Sequence, residues 1–73
     1  MLTEHDIKPG FVCQDSNYIY LILKVRHRTM GIAVFRKGQE GKTTFHNSLM
    51  VDMFVEDINF WASRDGFEPR ITK

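Results

Sequence analysis

Histidine and cysteine side chains are the first groups to consider for chemistry, because they bind metal ions and serve as nucleophiles or bases. The chain has three histidines, His5, His27 and His46, and a single cysteine, Cys13. These residues are scattered, whereas zinc sites use closely spaced pairs of cysteine or histidine ligands. The sequence therefore predicts no metal site and no cofactor, and we expect Cys13 to be a small buried apolar residue.

Hydroxyl groups beside a histidine are a second candidate for catalysis. Thr43, Thr44 and Ser48 lie close to His46 in the sequence. No G-x-S-x-G elbow surrounds them, and positions on a strand and at a helix start explain them better. The stretch 38–43, G-Q-E-G-K-T, contains glycines and a lysine, yet it lacks the spacing of a phosphate-binding loop. Neither segment predicts an active site.

The paired carboxylates of Glu56 and Asp57 fall in a segment with helical spacing, where a solvated helix face is the usual role of acidic residues. A compact nuclease-type toxin would need an acid–base pair, and the sequence reveals none. We therefore expect a protein that is not an enzyme. Its function then depends on which surfaces the predicted elements expose.

Length and composition predict one small domain spanning residues 1–73. A chain of 73 residues is near the lower limit for a self-sufficient core, and 42% hydrophobic residues argue against disorder. No apolar run approaches the roughly 20 residues of a membrane span, and residues 1–10 contain no signal-like apolar stretch. Because a single cysteine cannot form an internal disulfide, we expect a cytoplasmic protein without membrane association. Such a small domain would gain stability from a protein partner or from forming a homodimer.

The densest structural signal is a β-hairpin. Residues 18–26 and 29–37 are rich in β-branched and aromatic side chains and flank a short polar turn, which is typical of paired antiparallel strands. The other predicted strands are shorter and comprise residues 11–14, 42–46 and 67–72. Within the last of these, Pro69 requires an edge or end position, because proline cannot donate a backbone hydrogen bond.

An amphipathic helix is predicted near residues 48–64. The apolar residues that recur there at helical spacing are Met50, Val51, Phe54, Val55, Ile58, Trp61 and Ala62. The opposite side, which we expect to be exposed, carries Asp52, Glu56, Asn59 and Ser63. Asn47 or Ser48 is the expected N-cap, and Gly66 is the expected end of the helix. A strand over 49–55 followed by a short helical turn is the open alternative.

The pairing of the hairpin decides which side chains form the core. A two-residue turn at residues 27–28 pairs Val25 with Met30. One face then carries a continuous aliphatic set consisting of Ile19, Leu21, Leu23, Val25, Met30, Ile32 and Val34. The other face places Tyr20 opposite Phe35. Because a longer loop would shift the register by one residue and invert both faces, it stays open whether the second face is core or interface.

The second face of the hairpin combines aromatic and basic side chains, which makes it the candidate binding surface. Segment 24–42 is basic and segment 48–68 is acidic, although the net charge is only +1. The candidate surface consists of Tyr18, Tyr20, Lys24, Arg26, Arg28, Phe35, Arg36 and Lys37. Exposed apolar patches usually mark protein contacts, whereas aromatic and basic residues on a sheet also suit single-stranded nucleic acid.

Together these elements predict a mostly β, α+β fold: a small antiparallel meander that either closes into a barrel or forms a four- or five-stranded sheet packed by the helix. An early K-P-G turn, two long meander strands and a late short strand resemble the layout of a small SH3-like barrel. We expect a protein-binding module that regulates or inhibits a larger protein. A small β-barrel that binds single-stranded nucleic acid or RNA is the alternative, because one architecture can host many functions.

Overall fold

A four-stranded antiparallel sheet and one helix make up the fold. The computed structural model describes residues 1–39 and 41–71. In chain order its elements are a short 3-10 helix (Glu4–Asp6), the strands β1 (Val12–Gln14), β2 (Tyr18–Arg26), β3 (Thr29–Arg36) and β4 (Thr43–Met50), and the helix α1 (Val51–Asp65). The strand order β1-β2-β3-β4 confirms the predicted α+β meander. The SH3-like barrel is wrong, because β1 and β4 lie at opposite edges of an open sheet.

Helix α1 begins immediately after β4, so the alternative of a strand over 49–55 is wrong. The residue before the helix, Met50, is extended and provides no side-chain cap. The predicted caps at Asn47 or Ser48 are also wrong, because both residues lie within β4. The end of the helix is as predicted: Gly66 adopts a φ of 72°, a left-handed conformation that glycine reaches without strain.

A β-bulge at Leu23 sets the register of the hairpin. Val25 pairs with Met30 as predicted, but the register shifts by one residue before the bulge, so that Ile22 pairs with Ile32. One extra residue in a strand moves the side chains beyond it to the other face of the sheet. The predicted core face of β2 is therefore wrong: Leu23 is 45% exposed, whereas Ile22 is 1% exposed.

The hydrophobic core lies between the face of the sheet that carries Ile22 and the buried side of α1. Its buried members are Leu2, Ile7, Phe11, Cys13, Ile22, Met30, Ile32, Val51, Phe54, Val55 and Ile58. Of the predicted core residues of β3, Met30 and Ile32 are buried and Val34 is half-buried. The first half of β2 contributes the side chains that were expected on the opposite face.

One side of α1 packs as predicted, but the end of its apolar stripe does not. Phe54 and Ile58 are buried, and Asp52 and Glu56 are exposed. Trp61 was expected in the core, yet it is 44% exposed. The reason is that α1 covers only part of the sheet, so Trp61 lies at the rim of an open groove.

The N-terminal segment is held against α1 by Asn59. The side-chain amide of Asn59 accepts a hydrogen bond from the Leu2 N–H at 2.7 Å and donates one to the Leu2 carbonyl at 2.9 Å. The prediction that Asn59 is solvent-exposed is therefore wrong, because its amide satisfies two backbone groups. The Thr3 N–H donates to the Asp6 carboxylate at 2.8 Å and closes the 3-10 turn.

The C-terminal segment runs along the outer side of β1. Arg70 forms an antiparallel bridge to β1, and the Pro69 carbonyl accepts a hydrogen bond from the Gln14 N–H at 2.8 Å. The predicted strand over 67–72 is thus reduced to a single bridge, with proline at the sheet edge as expected. Thr72, the last residue of that predicted strand, lies outside the described residues.

Candidate functional site

An open groove separates the sheet from α1 at one corner of the molecule. Helix α1 runs from the β2–β3 turn, where the Val51 N–H donates to the Arg28 carbonyl at 2.9 Å, to the β1–β2 turn, where the Ser16 hydroxyl donates to the Asp65 carboxylate. The helix leaves part of the sheet uncovered, and the resulting groove has a volume of about 620 Å³. Its walls include Tyr18, Val34, Thr44, His46, Asp57 and Trp61.

The buried carboxylate of Asp15 lines this groove. It accepts hydrogen bonds from the N–H groups of Asn17 and Tyr18, both at 2.8 Å, and from the Tyr20 hydroxyl at 2.6 Å. Burial and then this hydrogen bond raise the pKa of Tyr20 above its usual value. The carboxylate thus stabilises the β1–β2 turn and fixes the position of Tyr20. The D-S-N sequence of the turn was the available signal, because aspartate often bonds the backbone two residues on.

The residues considered for chemistry do not form a reactive cluster. Cys13 is fully buried, and burial raises the pKa of its thiol to about 12, so it is an unreactive core residue. Thr44 and His46 face the groove from β4, while Thr43 lies on the other face of that strand. Among the residues that the structure describes, no group of histidine, cysteine, aspartate and glutamate side chains could hold a metal ion. That the protein is not an enzyme stays a prediction.

The predicted binding surface is divided between the two faces of the sheet. Tyr18 and Tyr20 lie on the helix side with ring centroids 6.1 Å apart, and the Arg36 guanidinium lies 6.0 Å from the Tyr18 ring. Tyr20 pairs with Val34 and not with Phe35. The predicted contact between Tyr20 and Phe35 is therefore wrong, because the bulge at Leu23 places these rings on opposite faces.

The remaining basic residues of the predicted surface are also separated. Strand alternation places Lys24 and Arg26 on the face opposite α1, and Arg28 lies in the β2–β3 turn. The Lys37 ammonium donates to a backbone carbonyl of the β1–β2 turn at 2.8 Å and lies 4.3 Å from the centre of the Phe67 ring. Lys37 therefore ties three segments of the fold together.

The face of the sheet opposite α1 is apolar, and we call it the back face. It is formed by Ile19, Leu21, Leu23, Ala33, Phe35 and Phe45. The register aligns Leu21, Ala33 and Phe45 in one row across three strands. Phe45 is 65% exposed and Leu23 and Phe35 are also exposed, whereas Ala33 in the middle of the row is buried. Sequence reasoning omitted Phe45, since the register of β4 against β3 cannot be deduced from spacing.

Gly31 allows two polar side chains to lie across the back face. A Cβ atom at Gly31 would lie 2.9 Å from the Asn47 Oδ1 atom and 3.2 Å from the Lys24 Cε atom. The missing side chain therefore lets the aliphatic stem of Lys24 lie flat against the sheet. This places a cation beside the apolar residues of the back face.

Among the described residues, ion pairing joins the two termini and not the basic and acidic segments. Within the described part of the chain, the sole salt bridge joins Asp6 and Arg70 at 2.6 Å. The hydrogen bond from the Thr3 backbone, together with nearby Arg70, lowers the pKa of Asp6.

The described residues contain no helix with the length and apolar character needed to cross a membrane. Comparisons with protein-family models, curated proteins and solved structures find no match for the chain. Function has therefore to be inferred from the two surfaces themselves, the groove and the back face.

Proposed function

We propose that the protein is a small non-enzymatic protein-binding module that acts through its back face. The supporting observation is a contiguous apolar face that α1 leaves open, on which Leu23, Phe35 and Phe45 are exposed. An antiparallel sheet with one solvated face usually alternates apolar and polar residues, so that the solvated face is polar. A second apolar face that stays open to water usually marks an interaction site.

The chemistry of the back face indicates the kind of partner. Phe35 and Phe45 are rigid aromatic anchors, and such residues carry much of the binding energy at protein interfaces. Lys24 and Arg26 lie on the same face towards the β2–β3 turn, beyond Leu23, so the matching surface is an apolar patch with acidic residues at that end. A domain that occupies such a patch would regulate or inhibit a larger protein.

Capture of partners from host lysate, with and without nuclease, tests this proposal. Two substitutions on the back face, Leu23→Ala and Phe45→Ala, should each weaken capture of the partner by about 30-fold, as expected for residues worth about 2 kcal/mol. Phe60→Ala is the matched control, because Phe60 is 59% exposed on α1 and Phe45 is 65% exposed on the back face. Equal loss in all three variants, or loss on nuclease treatment, would contradict the proposal.

Single-stranded nucleic acid is the second candidate ligand, and one observation favours it. Phe35 and Phe45 lie on adjacent strands, and Lys24 and Arg26 lie on the same face nearer the β2–β3 turn, which would allow base stacking and phosphate contacts along one face. The near-neutral net charge of +1 favours the protein partner. If nucleic acid binds, its affinity should fall with salt by a logarithmic slope of about −0.7 per phosphate contact. Micromolar binding of labelled oligonucleotides at physiological salt, lost in Phe45→Ala, would favour this alternative.

A further inference from the structure

The two edges of the sheet are protected to different degrees. At the β1 edge, the C-terminal segment pairs with the backbone: the Gln14 N–H donates to the Pro69 carbonyl, and the Ile71 N–H donates to the Val12 carbonyl. At the other edge, β4 is the last strand, and no described segment pairs with its outer side. β4 therefore presents unpaired backbone groups along its length.

The hydrogen-bonding phase of the sheet shows which backbone groups of β4 point outwards. The N–H and carbonyl groups of Ile22 bond to the segment just before β1, so the backbone groups of Ile19 and Leu21 point towards β3. Ile19 and Leu21 pair with Phe35 and Ala33. The backbone groups of Ile32 and Val34 therefore point towards β4, where they pair with His46 and Thr44. By the same alternation, the N–H and carbonyl groups of Thr43 and Phe45 face away from the sheet.

Strand β4 lacks the features that usually prevent edge pairing. Residues Thr43–Met50 include no lysine, arginine, aspartate, glutamate or proline, and such residues are the common protection of sheet edges. The register from Phe35–Thr43 to Ile32–His46 contains no shift, so this stretch is regular. A bulge follows at Asn47 and Ser48, where the φ of Ser48 is 61°, and it limits pairing to the first part of the strand.

We infer that the β4 edge binds the β4 edge of a second copy of this chain, in an antiparallel pairing centred on Phe45. In this register Phe45 lies opposite Phe45 of the second copy, and each exchanges both backbone hydrogen bonds with the other. Thr44 lies opposite His46, and the pairing ends where Thr43 reaches Asn47 at the bulge. The two sheets become one, both copies of α1 lie on the same side, and the two back faces become continuous.

A second copy fits this edge better than an unrelated strand for two reasons. The regular stretch Thr43–His46 carries no lysine, arginine, aspartate or glutamate, so self-pairing brings no such charges of like sign into opposition. Self-pairing also places the two exposed Phe45 rings side by side, and cross-strand aromatic pairs stabilise sheets. Twofold pairing of one surface with itself is also the commonest route to an oligomer.

Sedimentation equilibrium of the full 73-residue chain over a range of concentrations tests the association. We expect a reversible dimer that Phe45→Pro weakens about tenfold or more, because proline removes an outward N–H that the intramolecular ladder does not use. Amide hydrogen exchange on the unmodified chain provides a second measurement. The Thr43 and Phe45 amides should become more protected as concentration rises.

Disulfide formation locates the interface. Cα atoms in a hydrogen-bonded antiparallel pair are about 5.5 Å apart, a distance that a disulfide can span. Oxidised Phe45→Cys should therefore form a covalent dimer, whereas Leu23→Cys, which is exposed on the back face but distant from the edge, should not. Native Cys13 is fully buried and does not compete.

Several results would overturn the edge dimer. These are a monomer at all concentrations up to about millimolar, unprotected Thr43 and Phe45 amides, or cross-linking of Leu23→Cys in place of Phe45→Cys. A monomeric chain that still loses its partner in Leu23→Ala would leave the proposed function intact, so the two proposals can fail separately.

Discussion

Both faces of the sheet carry apolar side chains, but the surroundings of the two faces differ. On the helix side, Ile22 and Ile32 are buried against α1, whereas on the back face Leu23 and Phe45 remain exposed. Neighbouring residues of one strand, Ile22 and Leu23, thus differ from almost complete burial to 45% exposure. Hydrophobicity alone therefore does not decide which face becomes core. The bulge determines which side chains of β2 face α1, and α1 covers only one face of the sheet.

Truncating Ile22 and Leu23 separately tests whether the two faces of the sheet differ in their contribution to stability. Ile22→Ala should lower the free energy of unfolding by about 2–5 kcal/mol, because it leaves a cavity in the core. Leu23→Ala should cost less than about 1 kcal/mol, as expected for a largely exposed position. Urea unfolding measures both values. Equal losses would show that the bulge does not place Leu23 on the back face.

A proline in α1 tests how much the stability of the fold depends on the helix that covers one face of the sheet. Glu56 is exposed in the middle of the helix. Glu56→Pro should lower the free energy of unfolding by about 3 kcal/mol or more, through the lost backbone hydrogen bond and the clash of the ring with the preceding turn. Glu56→Ala is the control and should be nearly neutral. Thermal unfolding followed by circular dichroism measures the difference, and tolerance of proline would contradict a helix that packs along its full length.

On the groove side of the sheet, the hydrogen bond from the Tyr20 hydroxyl to the Asp15 carboxylate should contribute to stability. Tyr20→Phe removes the hydroxyl that donates to Asp15 at 2.6 Å. The loss should be about 1–3 kcal/mol, because a buried carboxylate then lacks one partner. Tyr18→Phe is the matched control, since the Tyr18 hydroxyl has no hydrogen bond within the described chain. A loss in Tyr18→Phe as large as in Tyr20→Phe would contradict a specific role for this bond.

Because the pKa of Tyr20 is raised, the same contact should also make the free energy of unfolding depend on pH in the alkaline range. Burial and the bond to Asp15 keep the phenol protonated in the folded state, while the unfolded chain ionises near the ordinary value of 10.0. The unfolded state therefore binds fewer protons above that pH, so the stability supplied by Tyr20 is present below it and falls as pH rises. Unfolding measured from pH 9 upwards should show a shallower decline in Tyr20→Phe than in the unmodified chain.

The smallest expected effect concerns the salt bridge between Asp6, in the 3-10 helix, and Arg70, in the C-terminal segment. The pKa of Asp6 is lowered in the folded state, so its contribution is present above the ordinary value of 3.8 and is lost as pH falls through the folded pKa. Asp6→Asn should thus be slightly less stable than the unmodified chain at neutral pH, and the two should converge in acid. A constant difference across the acid range would assign the effect to packing instead of charge.

Local patterns in the sequence were sufficient to predict which elements form. The β-branched and aromatic residues of 18–26 and 29–37 predicted two long strands, and helical spacing predicted α1. Gly66 also marked the end of that helix, because a left-handed residue there is strongly biased towards glycine. Each of these features depends on residues that are close in sequence, and this is why spacing alone could identify them.

The sequence did not determine the register or the covered face, because both depend on contacts between distant residues. No local signal marked the bulge at Leu23, and it moved Tyr20 and Ile22 to the core side of the sheet. The predicted binding surface was therefore divided between two faces, and Phe45 became part of the back face only through the pairing of β4 with β3. The open edge of β4 was likewise decided by the tertiary structure: the predicted meander could close into a barrel or stay an open sheet, and closure depends on contacts between strands that are distant in sequence.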